Sequence, residues 1–219
     1  MTLSLILSLF LLSPSTAPAT APATAPAEVV AEPGLRDELL RRQAKDQEAR
    51  SALLEKMKES DGDLGADGLP VVLQVQRIDA ENRAWIATVL DQHGWPDRSL
   101  VGREASGAAW LLVQHADDDV ELQERALPLL QAAIEAGEAE ARYGAYLLDR
   151  IRVNRGEPQV YGTQVRQIDG RIQPLPIEDP EHVDQRRAEV GLMTLAVYIA
   201  ELDKAYLDTA SPATKPAEE

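Results

Sequence analysis

The chain has 219 residues, no cysteine and a formal net charge of −15. Without cysteine there are no disulfides, no thiol catalysis and no thiolate metal sites, so folding rests on a hydrophobic core. The acidic balance, with no Lys/Arg cluster interleaved with aromatics, argues against nucleic acid and against an anionic membrane surface as partners.

Residues 1–27 read as a signal peptide and a spacer. Leu3 to Leu12, LSLILSLFLL, is one apolar run. It is shorter than the roughly 20 residues of a membrane-spanning helix but suits a signal-peptide core. Ser13 to Ala27 is rich in Pro, Ala and Thr and cannot build a core. Ala25-Pro26-Ala27 offers a cleavage site, and a cut at Ala19 is the alternative. The expectation is a secreted or periplasmic protein with no stable transmembrane span after processing.

Residues 28–59 form an N-terminal helical segment, with an amphipathic helix from Leu35 to Met57. Its apolar marks fall at Leu35, Leu39, Leu40, Ala44, Leu53, Leu54 and Met57, and the stripe is thin in the middle. Asp37 and Glu38 near its start and Lys56 and Lys58 near its end suit the helix dipole. This helix offers a surface for an envelope protein partner. Residues 60–68, SDGDLGADG, read as a linker.

A single, compact, mainly α domain with one small β-hairpin is expected over 69–208. VVLQVQRI, Val71 to Ile78, is compatible with a short strand or a helical turn. Asp79 is placed to cap a helix over Ala80 to Gln92, which Gly94 ends. Arg103 to His115 is apolar nearly all round and belongs at the centre of a bundle. Asp119 is placed to cap Val120 to Ala136, where Pro128 predicts a kink or a late start. Glu138 to Val153 carries a further stripe. QVYGTQVRQI and RIQPLPI flank Asp169-Gly170, a strong hairpin signal, with Tyr161 to Gln164 inside the first strand. A helical region over Pro180 to Leu207, interruptible near Gly191, and a tail at 209–219 complete the chain.

HGWP at His93–Pro96, VG at Val101-Gly102, AAWLLVQHAD at Ala108–Asp117, AYLLDRIRVNRGEPQVYGTQ at Ala145–Gln164 and the later PLPIEDPEHVDQRRAEVGL occur in that order. Together they resemble a bacterial domain family of unknown function, often found in exported or membrane-linked proteins. The resemblance spans about Leu69 to Leu207 and leaves the Leu35–Met57 helix outside. It implies one integrated domain and no particular activity. It directs attention to His93, Trp95, Gln114, His115, Asp117, Asp149, Arg150, Tyr161, Gly162, Thr163 and Gln164.

Three functional readings follow. In the first, Gln114, Arg150, Tyr161, Thr163, Gln164 and Trp95 line a cleft that binds a small polar ligand or peptide, since an aromatic, a hydroxyl and amides suit such a ligand. In the second, a hydrolase-type acid–base enzyme uses His115 as general base, Asp149 to orient it and His93 to assist, with Arg150 or Gln164 stabilising charge. In the third, the domain is structural or mediates envelope interactions. The histidines His93, His115 and His182 match no close metal-ligand spacing. A metal site from His93, His115 and Asp149 would need the fold to gather them, so no metal and no cofactor is assigned.

Overall fold

A computed structural model describes residues 30–60, 64–168 and 171–210. The expected signal peptide and spacer, the Asp169-Gly170 turn and the C-terminal tail beyond Ala210 lie outside the described residues. The protein is a mainly α, multi-helix domain with a small β-hairpin and an extra N-terminal helix. Its elements are α1 (Pro33–Glu59), α2 (Gly65–His93), α3 (Arg98–Val101), α4 (Arg103–Gln114), α5 (Val120–Glu135), α6 (Ala141–Asn154), β1 (Val165–Ile168), β2 (Arg171–Pro174), a single 3-10 turn (Pro180–His182), α7 (Val183–Glu189) and α8 (Leu195–Ala210).

Helix α1 starts with proline in its first turn, where the missing N–H costs nothing, and ends with Lys56 and Lys58 against the negative end of its dipole. Its buried positions are Leu39, Asp46, Ala49 and Leu53. They lie on one face, so a carboxylate stands in the seam between two leucines. Helix α2 is longer than the sequence reading allowed. It begins at Gly65, inside the stretch read as a linker, and runs unbroken to His93. Val75, Ile78, Asn82, Ile86 and Val89 keep helical spacing across the segment compatible with a strand, and that periodicity decides in favour of helix. Asp79 is therefore mid-helix and does not cap anything.

Helix α4 is the central element and packs against α1, α2, α3, α5 and α6. Small residues Ala105, Ala108 and Ala109 let its neighbours approach, and Leu111, Leu112 and Val113 fill the space between them. The main core joins these to Leu39, Ile86, Trp95, Val101, Leu122, Leu130 and Leu147. A smaller cluster of Ala49, Leu53, Val75 and Ile78 closes the outer part of the α1/α2 pair. Asp46 and Asp79 fall at the border between the two clusters. Leu69 and Leu73, early in α2, remain exposed. No helix among the described residues is long and apolar enough to cross a membrane.

Asp119 caps α5 by accepting from the Leu122 N–H at 2.9 Å, and the helix continues through Pro128. The hairpin pairs β1 and β2 antiparallel with Ile168 opposite Arg171, the register of a two-residue loop. Tyr161 to Gln164 precede the strand and do not belong to it: β1 starts at Val165. Asp179 adopts a left-handed conformation (φ 48°) and holds the His182 ring at 2.9 Å without capping a backbone N–H. The last helical region is broken at Gly191 (φ 72°), as its composition suggested.

Candidate functional site

Helix α4 ends at Gln114, and His115 is its C-cap, 6 % exposed. The ring points to α1 and α2. Its Nδ1 lies 3.0 Å from Oδ1 of Asp46, which is 1 % exposed. Arg50, one turn along α1 from Asp46, brings its Nε within 3.2 Å of Asp46 Oδ1 and 3.0 Å of His115 Nδ1. Its Nη2 donates to Asp79 Oδ1 at 2.6 Å. The Gln47 amide donates to the other Asp46 oxygen at 2.9 Å. Two carboxylates, an imidazole and a guanidinium thus meet where three helices join.

Nδ1 faces both the Asp46 carboxylate at 3.0 Å and the Arg50 Nε–H at 3.0 Å. With Asp46 ionised, the tautomer that avoids lone pair against lone pair carries its proton on Nδ1, which donates to Asp46, and Arg50 Nε–H, also within reach of Asp46 Oδ1, donates to the same carboxylate. The lone pair is then on Nε2, which is buried and has no hydrogen-bond partner among the described residues. Burial lowers the His115 pKa below its ordinary value; Asp46 opposes this, and the Arg50 and Arg150 charges reinforce it. The ring is therefore a neutral base. Asp46 is held below the usual carboxylate range: burial pulls it up, but His115 and Arg50 outweigh that. Asp79 goes the other way. Burial, then the neighbouring charges of Asp46 and Asp117, push it up to about 6 against the pull of Arg50. Neighbouring carboxylates whose pKa values are driven apart are the usual arrangement for acid–base work.

Asp46, Asp79 and His115 each place a ligand-type atom within 4.8 Å of the others, the geometry of a three-ligand cation site. Arg50 donates to the Asp46 and Asp79 carboxylates and lies against the His115 ring, so its guanidinium supplies the positive charge a cation would bring. These residues fit a resident metal poorly while Arg50 stands among them.

The residues singled out from sequence separate into three groups. Gln114 and Arg150 join beside this centre: Arg150 Nε donates to Gln114 Oε1 at 2.7 Å, and Nη1 donates to both Asp117 oxygens at 2.6 and 2.8 Å. Asp149 does not reach His115. Its carboxylate accepts the backbone N–H groups of Val160, Tyr161 and Thr163 and the Thr163 hydroxyl at 2.7–3.2 Å. The Gln164 backbone is held by Gln159, and the Tyr198 hydroxyl donates to Thr163 O. The polar groups of Thr163 and Gln164 thus serve to fix the 159–164 segment around α6. Gly162 takes a left-handed φ of 71° with Ile177 and Leu195 packed against it, so a side chain there would clash. His93 ends α2 and is exposed, and Trp95 is in the main core. The carboxylate partner of His115 is therefore Asp46, which the sequence reading did not single out. Its signal was present: Asp46 is seven residues from both Leu39 and Leu53, a core position occupied by an acid.

One family model covers residues 33–209. The chain belongs to DUF6624, a family of unknown function. The DUF6624 span includes α1, which had been expected outside the shared pattern, and hence includes Asp46 and Arg50. No curated protein and no solved structure matches the chain.

Proposed function

We propose that this DUF6624 protein is a hydrolase-type acid–base enzyme, exported from the cytoplasm, with His115 Nε2 as the reacting base. The observation that carries this reading is the buried His115 ring, oriented through Nδ1 by ionised Asp46 and left with an unmatched Nε2. A carboxylate in that place fixes the productive tautomer and stabilises the imidazolium formed during reaction. Asp79, pushed up to about 6, is the complementary proton donor.

The chemistry balances within these groups. Water adds to an electrophilic centre while His115 Nε2 takes its proton. The bond to the leaving group breaks as that group takes the Asp79 proton. Transfer of the imidazolium proton back to Asp79, directly or through solvent, restores the starting state. Arg50 offsets charge as it moves between Asp46 and Asp79. Asp79 and Arg50 are each 24 % exposed in their side chains and Asp117 44 %, so solvent reaches the polar cluster along these side chains. Because Nε2 itself is covered, the groups packed around it must move aside when substrate enters.

The test is a panel of chromogenic esters, amides, phosphoesters and glycosides with wild type, His115→Gln and Asp79→Asn. The expected result is turnover of at least one class by wild type that falls by about 10²–10⁴-fold in His115→Gln. Turnover unchanged by both substitutions would overturn the assignment.

A further inference from the structure

We propose that Gln114 and Arg150 anchor a carboxylate-bearing ligand, and that Asp117 holds the place of the ligand's carboxylate until it is displaced. That the ligand is the substrate rests on the acid–base reading of His115; the anchoring itself does not.

Arg150 is 2 % exposed and its guanidinium is fixed from two sides. Gln114 takes Nε at 2.7 Å, and the Asp117 carboxylate takes Nη1 through both oxygens. These partners differ in how firmly they are held. Gln114 is wholly buried on the last turn of α4, whereas the Asp117 side chain, which Asn154 also holds, is 44 % exposed in the connection from α4 to α5. A buried arginine on a rigid helix thus meets a carboxylate that solvent can reach and that a short connecting segment can withdraw. Arginine's planar fork suits such a carboxylate, whether from its own chain or from a ligand.

The second observation is on Gln114. Because Arg150 Nε must donate to an oxygen, the amide orientation is settled and Nε2 carries the hydrogens. That Nε2 is buried and has no hydrogen-bond partner among the described residues. A buried amide donor without an acceptor is costly, and Asp117 does not supply one. A ligand that places its carboxylate on Arg150 and another oxygen on Gln114 Nε2 makes a contact that Asp117 leaves unmade. This gives it an advantage over the internal carboxylate. Long-range attraction does not help, because the net charge of −15 opposes the approach of an anion. The selectivity must come from these short contacts. The Arg150 charge is close enough to act on the His115 ring, so a ligand anchored here lies near the acid–base centre.

The experiment uses the full chain labelled with ¹⁵N, observing the Arg150 Nε–H and Gln114 side-chain amide signals. The probes are N-acetylglycine, which has a carboxylate and a carbonyl, and N-acetylglycinamide, which lacks the charge. N-acetylglycine is expected to shift both signals saturably, and to bind at least tenfold more tightly to Asp117→Ala and Asp117→Asn, where the internal competitor has lost its charge. N-acetylglycinamide is expected to bind at least tenfold more weakly than N-acetylglycine. Equal binding of the two probes, or carboxylate affinity unchanged in a folded Asp117 variant, would overturn the proposal. So would the absence of any saturable shift in both variants. His115→Gln should retain probe binding. Saturable carboxylate binding alongside a failed turnover panel would remove the acid–base reading and leave the anchoring site standing.

Discussion

Asp149 on α6 and Asp46 on α1 are both carboxylates taken out of water, at 0 % and 1 % exposure, yet the protein accommodates them in opposite ways. Asp149 is enclosed by three backbone N–H groups and a hydroxyl, all from the segment that follows α6. Its bonds end there, and every partner is a group that must itself be satisfied for the segment to fold. Burial raises its pKa while those donors resist. Asp46 instead faces titratable and charged partners, His115 and Arg50, and through them Asp79. Its network ends on an unmatched imidazole nitrogen. The first carboxylate closes a structure, and the second leaves a proton acceptor available. Burial alone does not distinguish the two carboxylates; the nature of the last partner does.

The comparison is most sharply tested by substituting each acid. Asp46→Asn should lower turnover by about 10³–10⁴-fold, because an amide no longer enforces the Nδ1–H tautomer. The denaturation midpoint should move less than in the Asp149 variant. Asp149→Ala should destabilise the fold by about 3–5 kcal/mol in urea titrations, since it strips several buried donors of their acceptor. Turnover per folded molecule should survive it. A reversed pattern, with Asp149→Ala inactive but stable, would exchange the two roles. Asp79→Asn should cost about 10²-fold at the optimum and abolish the alkaline limb near pH 6 that its raised pKa gives the wild type.

The same raised pKa has a stability consequence of definite sign. Asp79 binds its proton more tightly in the folded state than its ordinary pKa of 3.8 implies, so its contribution to stability declines as pH rises from there to about 6, then levels off. Asp46 and Asp117, both lowered, act in the other direction and lose stability as pH falls below 3.8. The difference between wild type and Asp79→Asn should therefore show a slope confined to about pH 4–6, measured by urea unfolding across that range. The smallest effect belongs to Thr163→Val, which removes one hydroxyl bond to Asp149 and should cost about 1 kcal/mol without changing turnover.

Much of the architecture is legible in the sequence. The all-round apolar character of α4, the Asp119 cap and the break at Gly191 follow from local rules, and so does placing Gln114 and His115 at a helix end. Helix α2 was misread because Val71–Ile78 is rich in β-branched residues, and a plausible cap at Asp79 hid a longer periodicity. The site was half visible for a related reason. His115, Gln114 and Arg150 stand out in apolar surroundings, but Asp46 and Arg50, one turn apart, have the spacing common to helix-surface ion pairs and are not singled out by it. The thin middle of the α1 stripe was the clue: apolar marks lapse there because the seam is occupied by the site. Asp149 misled in the opposite sense. The sequence suggests it as the residue that orients His115, whereas the acid folds the 160–163 segment around itself.

The most direct measurement is the ¹⁵N spectrum of the His115 imidazole as a function of pH. The expected result is a neutral ring at pH 7 with the proton on Nδ1 and a bare Nε2, remaining neutral below the ordinary histidine pKa of 6.5. Asp46→Asn should shift the tautomer balance. A proton on Nε2 at neutral pH, or an imidazolium persisting above pH 7, would contradict His115 as the waiting base.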